Sequence, residues 1–354
     1  MMKPKIETGK HDSNMPTNTL SYDADVSSLL PSLICPICHS ELTRSGDGSS
    51  GDGSSGGTLT CRNPACRTRF PIVDGIPVLI NEDNSLFSIA DFVKHDDTFY
   101  KSPDSKLAAL GQKMLGLLPG ISRNLGTHER YARMAELLLK ETPRPVVLVV
   151  GGSIIGQDMG EFLSNPAILF VETDITFGPR TQMICDSHDL PFRDGTFDGV
   201  VAQAVLEHVV DPHRCVDEFH RVLKTTGIVY AETPFMQQVH GGRYDFLRFS
   251  YLAHRRLFRH FTEIDSGVSC GPGMALAWSW TYFALSGAKS RLGRAAAYVV
   301  TRLTSFWLKY LDDYLVKKPA ALDAASGYYL MARRSNEVLD DRELIKLYKG
   351  YKGL

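Results

Sequence analysis

The chain has 354 residues, 43% of them hydrophobic and 22% charged, with a formal net charge of -1. That length allows two modest domains or one domain with additions, and that hydrophobic share supplies a sizeable core. The near-neutral balance shows none of the basic excess carried by proteins whose main partner is nucleic acid, and so argues against one.

Seven cysteines occur. Cys35, Cys38, Cys61 and Cys66 fall in pairs near the N-terminus, while Cys185, Cys215 and Cys270 scatter through predicted core elements. This is not a disulfide framework and suits a reducing compartment. Residues 1 to 28 are polar and lack an apolar signal core. The longest apolar stretch, Met274 to Leu285, is shorter than the ~20 residues a membrane span needs, so a cytoplasmic location is expected.

In chain order, residues 1–30 read as a disordered tail and 31–80 as a small unit. Within that unit Cys35-Pro36-Ile37-Cys38 and Cys61-Arg62-Asn63-Pro64-Ala65-Cys66 form two hooks, separated by a stretch that repeats GDGSS between Gly46 and Gly57. The repeat reads as the loose tip of a β-ribbon. Four thiolates suit a closed tetrahedral zinc site with a structural role, because so small a unit has little core of its own. Asp74-Gly75 is a turn between two short apolar runs. Residues 81–126 read as a connector.

From residue 127 the pattern becomes regular. Thr127 could cap a helix carrying Tyr131, Met134, Leu137 and Leu138 on one face, stopped by Pro143. Val146 to Val150 is a continuous β-branched and leucine run, expected for a central parallel strand. A helix over Gly156–Leu163 and strands over 167–171, 182–185, 197–202 and 228–231 follow. Asp211-Pro212 starts the helix that carries Cys215, Val216, Phe219, Val222 and Leu223. This alternation predicts an α/β fold with a doubly wound parallel sheet. Apolar helical stretches are expected over 274–286 and 295–311, and a tail over 336–354.

Two segments carry the chemistry. VVLVVGGSIIG (Val146 to Gly156) runs a strand into a glycine loop. Next come FVETDIT, then CDSHDLPFRDGTFDGVVAQAVLEHV and RVLKTTGIVYAETPF. The pattern "D..LPF.DG.FD.V....LEH" with "RVLK..G" resembles the class I S-adenosylmethionine (SAM)-dependent methyltransferases over residues 127–265. The resemblance implies a Rossmann-like sheet with SAM beyond the carboxyl ends of its strands. Gly151, Gly152 and Ser153 would meet the cofactor's carboxylate end. Asp174, with Glu172 as rival, would accept from the ribose hydroxyls. Asp186 would accept from the adenine amine beside Ser187 and His188, and Gln203 would pass under the methionine part. The glycine loop departs from the family's acid-x-Gly-x-Gly-x-Gly at Val149, Ser153 and Gly156. The spacing also fails the G-x-G-x-x-G of dinucleotide-binding dehydrogenases. The cysteine unit with its FPIVDGIPVLI is similar to the zinc ribbon of the small activator subunits of tRNA and release-factor methyltransferases.

The segment after the fifth strand, TPFMQQVHGGRYDFLRFS, resembles bacterial methyltransferases with "PF...H....D..RF" at this place. His240 is the candidate general base, Asp245 its orienting or alternative group, and Arg248 a grip on an anionic or sugar-like acceptor. Glu207-His208 lies just after the fourth strand, where His208 could touch substrate. The aromatic C-terminal stretch (Trp278, Trp280, Tyr282, Phe283, Phe306, Trp307, Tyr310) reads as core or a homo-oligomer face. A lid or a peripheral membrane contact is the other option. The leading expectation is methylation of a hydroxyl on a sugar or specialised metabolite. An RNA methyltransferase that uses the ribbon to hold RNA and a non-catalytic SAM-fold scaffold are the alternatives.

Overall fold

The computed structural model describes residues 30–45, 57–96 and 115–351. The expected N-terminal tail up to residue 29 and the GDGSS repeats at 46–55 therefore lie outside the described residues. Eleven strands form one sheet, in the order β1-β2-β3-β4-β7-β6-β5-β8-β9-β11-β10. In chain order these are β1 (Leu42–Ser45), β2 (Thr58–Cys61), β3 (Arg69–Val73), β4 (Ile76–Leu79), β5 (Val146–Val150), β6 (Leu169–Asp174), β7 (Met183–Cys185), β8 (Phe197–Gln203), β9 (Leu223–Pro234), β10 (Phe261–Cys270) and β11 (Gly327–Arg334). The helices are α1 (Ile89–Val93), α2 (Thr127–Glu141), α3 (Gly160–Leu163), α4 (Pro212–Val222), α5 (Tyr251–Leu257), α6 (Pro272–Gly287), α7 (Arg291–Ser305), α8 (Leu308–Leu315), α9 (Pro319–Asp323) and α10 (Asp341–Lys346).

The central strands β7, β6, β5, β8 and β9 run parallel. Val147 to Val150, Phe170, Val171, Val200 and Val201 are buried along them, because helices cover both faces of the sheet. On one face Tyr131, Met134 and Leu138 of α2 pack with Phe162, Phe170 and Tyr230. On the other, Cys215, Val216, Phe219 and Val222 of α4 pack with Phe197, Leu257 and Phe258. Asp211 caps α4 by accepting from the Arg214 N–H, with Pro212 in the first turn, as the sequence predicts. Gly126 (φ +67°), not Thr127, is the residue before α2; the Thr127 hydroxyl turns inward and donates to Glu232.

Three differences from the sequence reading matter for the site. The expected helix at Gly156–Leu163 keeps only its second half, α3, because Gly156 is pressed against Gln203; a Cβ there would lie 1.8 Å from the Gln203 Oε1. Two antiparallel strands that the sequence reading does not predict, β10 and β11, flank the helical stretches expected over 274–286 and 295–311 and extend the sheet beyond β9. The ribbon is not a separate appendage: its last strand β4 pairs in parallel with β7 through Val78 and Leu79. The apolar run expected at 295–311 is broken into α7 and α8, and the expected C-terminal tail holds α10.

Candidate active site

A cavity of about 280 Å³ opens at the carboxyl ends of β5, β6, β7 and β8. That volume is near the lower end of ligand clefts, ~300–1,000 Å³. The turn at its floor is dictated by backbone geometry. Gly151 has φ +73°, and a Cβ there would meet the Val205 side chain at 2.7 Å. Ala204, at the end of β8, also sits in the left-handed region (φ +55°), a strained backbone at the cavity wall.

Six of the nine predicted cofactor residues line the cavity: Gly151, Asp174, Asp186, Ser187, His188 and Gln203. Gly152, Ser153 and Glu172 are not in the lining. The Ser153 N–H donates to Asp174 at 3.0 Å, and Gly152 donates to the Thr173 carbonyl. Glu172 is fully buried and closed by a bidentate ion pair with Arg180. Of the two rival acids at the tip of β6, Asp174 therefore faces the cavity. Burial pushes its carboxyl above the ordinary range, against the pull of the Ser153 and Thr176 donors. Asp186 is driven the other way: burial would raise it, but His188 overrules that and the Ser85 hydroxyl adds to the effect. Ser85 donates to Asp186 at 2.6 Å, and Asn81 and Asn84 donate to Asp189. The segment just after the ribbon thus braces the tip of β7. The His188 Nδ1 lies 2.5 Å from Asp186 and its Nε2 accepts from the Asp211 N–H, so the imidazole is held at both ends.

Of the three candidate catalytic residues, His240 lines the cavity, and Asp245 and Arg248 do not. Asp245 accepts from the backbone N–H groups of His240 (2.7 Å) and Gly241 (3.0 Å) and is clamped by Arg248. Burial would raise the Asp245 carboxyl, but Arg248 and these N–H groups hold it at about 2. Arg248 in turn donates to the Gln237 and Gln238 carbonyls. The pair fixes the loop on which His240 stands. His208 also faces the cavity, with its Nδ1 2.8 Å from the Tyr244 carbonyl.

The sequence reading gives several cavity residues no place in the site, although it names Glu207 beside His208 and Trp278 within the aromatic stretch. Glu232 is buried at the end of β9 and gathers Asn124, Thr127, Gln203 and Tyr230, with Arg130 at 3.6 Å. Glu207 is fully buried beside His208 and His240. Met274 and Trp278 of α6 and Leu86 and Phe87 after the ribbon close the walls. A charged residue inside an otherwise apolar strand end, such as Glu232, was the available signal; the wall residues had none.

The four ribbon cysteines come together. Their Sγ atoms lie within 4.8 Å of one another, with Cys35–Cys66 at 3.8 Å and Cys38–Cys61 at 3.4 Å. Thiolates on a tetrahedral zinc, each ~2.3 Å from the ion, stand about 3.8 Å apart, so the donor set fits that ion with no place left open.

A doubly wound sheet, a glycine turn and acids at successive strand tips define a nucleoside-binding cleft of the class I methyltransferase type. A family model described as "Methyltransferase domain" matches residues 167–231, which run from the start of β6 into β9. The chain carries a methyltransferase domain of the SAM-dependent class. It is 35% identical over 77 residues to "Arginine-hydroxylase NDUFAF5, mitochondrial" of Mus musculus, a match covering 22% of this chain and 21% of that protein. The chain thus spans about a fifth of that curated relative. Similar solved structures include a Haemonchus contortus phosphoethanolamine N-methyltransferase 2 in complex with SAM (12% identity, 76% of this chain and 63% of that chain, TM-score 0.42). Another is a Burkholderia thailandensis 1,6-didemethyltoxoflavin-N1-methyltransferase with S-adenosylhomocysteine (14%, 68% and 93%, TM-score 0.34).

Proposed function

We propose that the chain transfers the methyl group of SAM to a hydroxyl of a small molecule, such as a sugar or a specialised metabolite. A zinc ion on Cys35, Cys38, Cys61 and Cys66 would serve structure alone. The observation that carries the reading is one continuous cavity. Acids suited to a nucleoside, Asp174 and Asp186, line it together with an imidazole–carboxylate cluster of Glu207, His208 and His240.

Methyl transfer is an in-line displacement: the sulfur–methyl bond breaks as the oxygen–methyl bond forms, and the hydroxyl proton must leave. Alignment of the two reactants supplies most of the acceleration. In this reading Gly151, Asp174, Asp186, Ser187, His188 and Gln203 hold the cofactor, with Gly152 and Ser153 shaping the turn beneath it. His240 meets the acceptor, and Asp245 and Arg248 position His240. The compact cleft and the net charge of -1 favour a small acceptor over RNA. No helix among the described residues is long and apolar enough to cross a membrane.

Incubation with labelled SAM and host extract, followed by mass spectrometry of what becomes labelled, tests the reaction. The expected product gains the mass of a methylene; a gain of one oxygen, or no labelled product, defeats the reading. His240→Gln is expected to cut turnover by about 100-fold or more while leaving SAM affinity near that of the wild type. Full activity in that variant would remove His240 from the reaction.

A further inference from the structure

Within the same cavity three side chains converge. The Glu207 Oε1 lies 3.7 Å from the Nε2 of His208 and 3.6 Å from the Nε2 of His240. The three donor atoms all fall within 4.8 Å of one another. These separations are too long for hydrogen bonds. Among the described residues, neither carboxylate oxygen of Glu207 has a hydrogen-bond partner, although the side chain is fully buried. A fully buried carboxylate with no hydrogen bond, and only two imidazoles at 3.6–3.7 Å beside it, is costly to desolvate and leaves room for an occupant.

The surroundings orient the donors toward one point. The His208 Nδ1 lies 2.8 Å from the Tyr244 carbonyl, and the His240 Nδ1 lies 3.3 Å from the Gln238 carbonyl. The His208 Nδ1–H donates outward, which turns its Nε2 toward Glu207, while the His240 Nδ1 stands between the Gln238 carbonyl and an N–H of Arg248 at 3.4 Å. For His208 this is the outer hydrogen bonding that imidazoles bound to metals show. The backbone carbonyl of Glu207 accepts from the Phe246 and Leu247 N–H groups, tying its strand end to the His240 loop. Asp245 and Arg248 anchor that loop. Donors bound ~2.1 Å from one ion stand roughly 3.0–3.4 Å apart, so the two carboxylate–imidazole spacings of 3.6 and 3.7 Å need to contract only by some tenths of an ångström.

We propose that Glu207, His208 and His240 bind a divalent cation of the zinc, cobalt, iron or manganese kind at the acceptor end of the cavity. Two imidazoles and one carboxylate suit such ions and leave coordination positions open toward the cavity. The site deepens the methyl-transfer reading, on which its role rests: the open positions would take oxygens of the acceptor, so that His240 meets it through the ion rather than as a free base, favouring acceptors with a hydroxyl next to a second oxygen.

The test uses the whole chain with zinc on its cysteines. Equilibrium dialysis against Co²⁺ is expected to add one ion per chain. Its visible spectrum should show nitrogen and oxygen ligation without the intense thiolate-to-cobalt bands that exchange into the ribbon would bring. Glu207→Gln and His208→Asn, checked for folding by circular dichroism, should each weaken this uptake by at least about tenfold. Wild-type protein that takes up no further Co²⁺, or only with thiolate bands, overturns the proposal, and so do folded variants that bind as the wild type does. Retention of the added ion in a protein that transfers no methyl group would sink the proposed reaction and leave the metal site standing.

Discussion

Single residues at the cavity have sharply different tolerances. Gly151 has a backbone that L side chains adopt at a cost of about 1–2 kcal/mol, and a Cβ there meets Val205 at 2.7 Å. Gly151→Ala should lower the unfolding free energy by about 1–3 kcal/mol and weaken SAM binding by at least about tenfold, as denaturant titration and calorimetry would show. His254 sets an acid limit. It is buried against Phe249 and Phe258, and burial, with Arg255 adding to it, pushes its pKa down to about 3. In the unfolded chain a histidine titrates near about 6.5. Below that value the unfolded state binds a proton that the folded state refuses until about pH 3, so stability is full above ~6.5 and is lost progressively as pH falls toward 3. Urea midpoints at about pH 7.5 and about pH 5 should therefore differ, and His254→Phe should shrink that difference.

At the scale of elements, the ribbon and the Asp186 side of the cleft are one construction. Strand β4 is hydrogen-bonded to β7, and Ser85, just beyond it, donates to Asp186. If the four ribbon cysteines hold zinc as proposed, a chelator should therefore lower SAM affinity as well as unfold strands β1 to β4. A protein that loses zinc and binds SAM unchanged would show that the brace is dispensable. Ser85→Ala isolates the same effect and should weaken SAM binding by about tenfold, the low end of the value of one hydrogen bond to a charged group. Much of this level was legible beforehand. The parallel strands announced themselves as β-branched runs, the cysteine hooks by their spacing, and α4 by its Asp-Pro start. Strands β10 and β11 were not legible, because FTEIDSGVSC mixes apolar and polar residues without clean alternation. Its middle is only half-buried, so burial wrote little into its sequence. The family pattern alone favours Asp174 over Glu172; the physical reason, Arg180 reaching Glu172 in space, is not in the sequence.

For the whole molecule, the continuous sheet predicts cooperative unfolding. Leu33, Cys35, Leu59 and Phe70 of the ribbon share one buried cluster with Phe192, Phe197 and Phe219 of the methyltransferase core. With the ribbon metal kept in place, cobalt–thiolate absorbance and tryptophan fluorescence should report a single coincident transition in urea. Trp278, Trp280 and Trp307 all lie in or beside the C-terminal helices, far along the chain from the cysteines. Separated transitions would show two independently stable bodies.

The two ends of the cavity are drawn from different parts of the chain. Residues 150–210 supply the half that holds Asp174 and Asp186, together with Glu207 and His208. The opposite wall, Met274 and Trp278, belongs to α6, which begins at Pro272 directly after β10 and is pinned where Asp312 of α8 accepts from the Gly273 and Met274 N–H groups. Exchange of the segment from α6 to α8 between homologous chains could thus retarget the enzyme to a new acceptor while its cofactor recognition is inherited intact, a division of labour that lets selectivity diversify faster than chemistry.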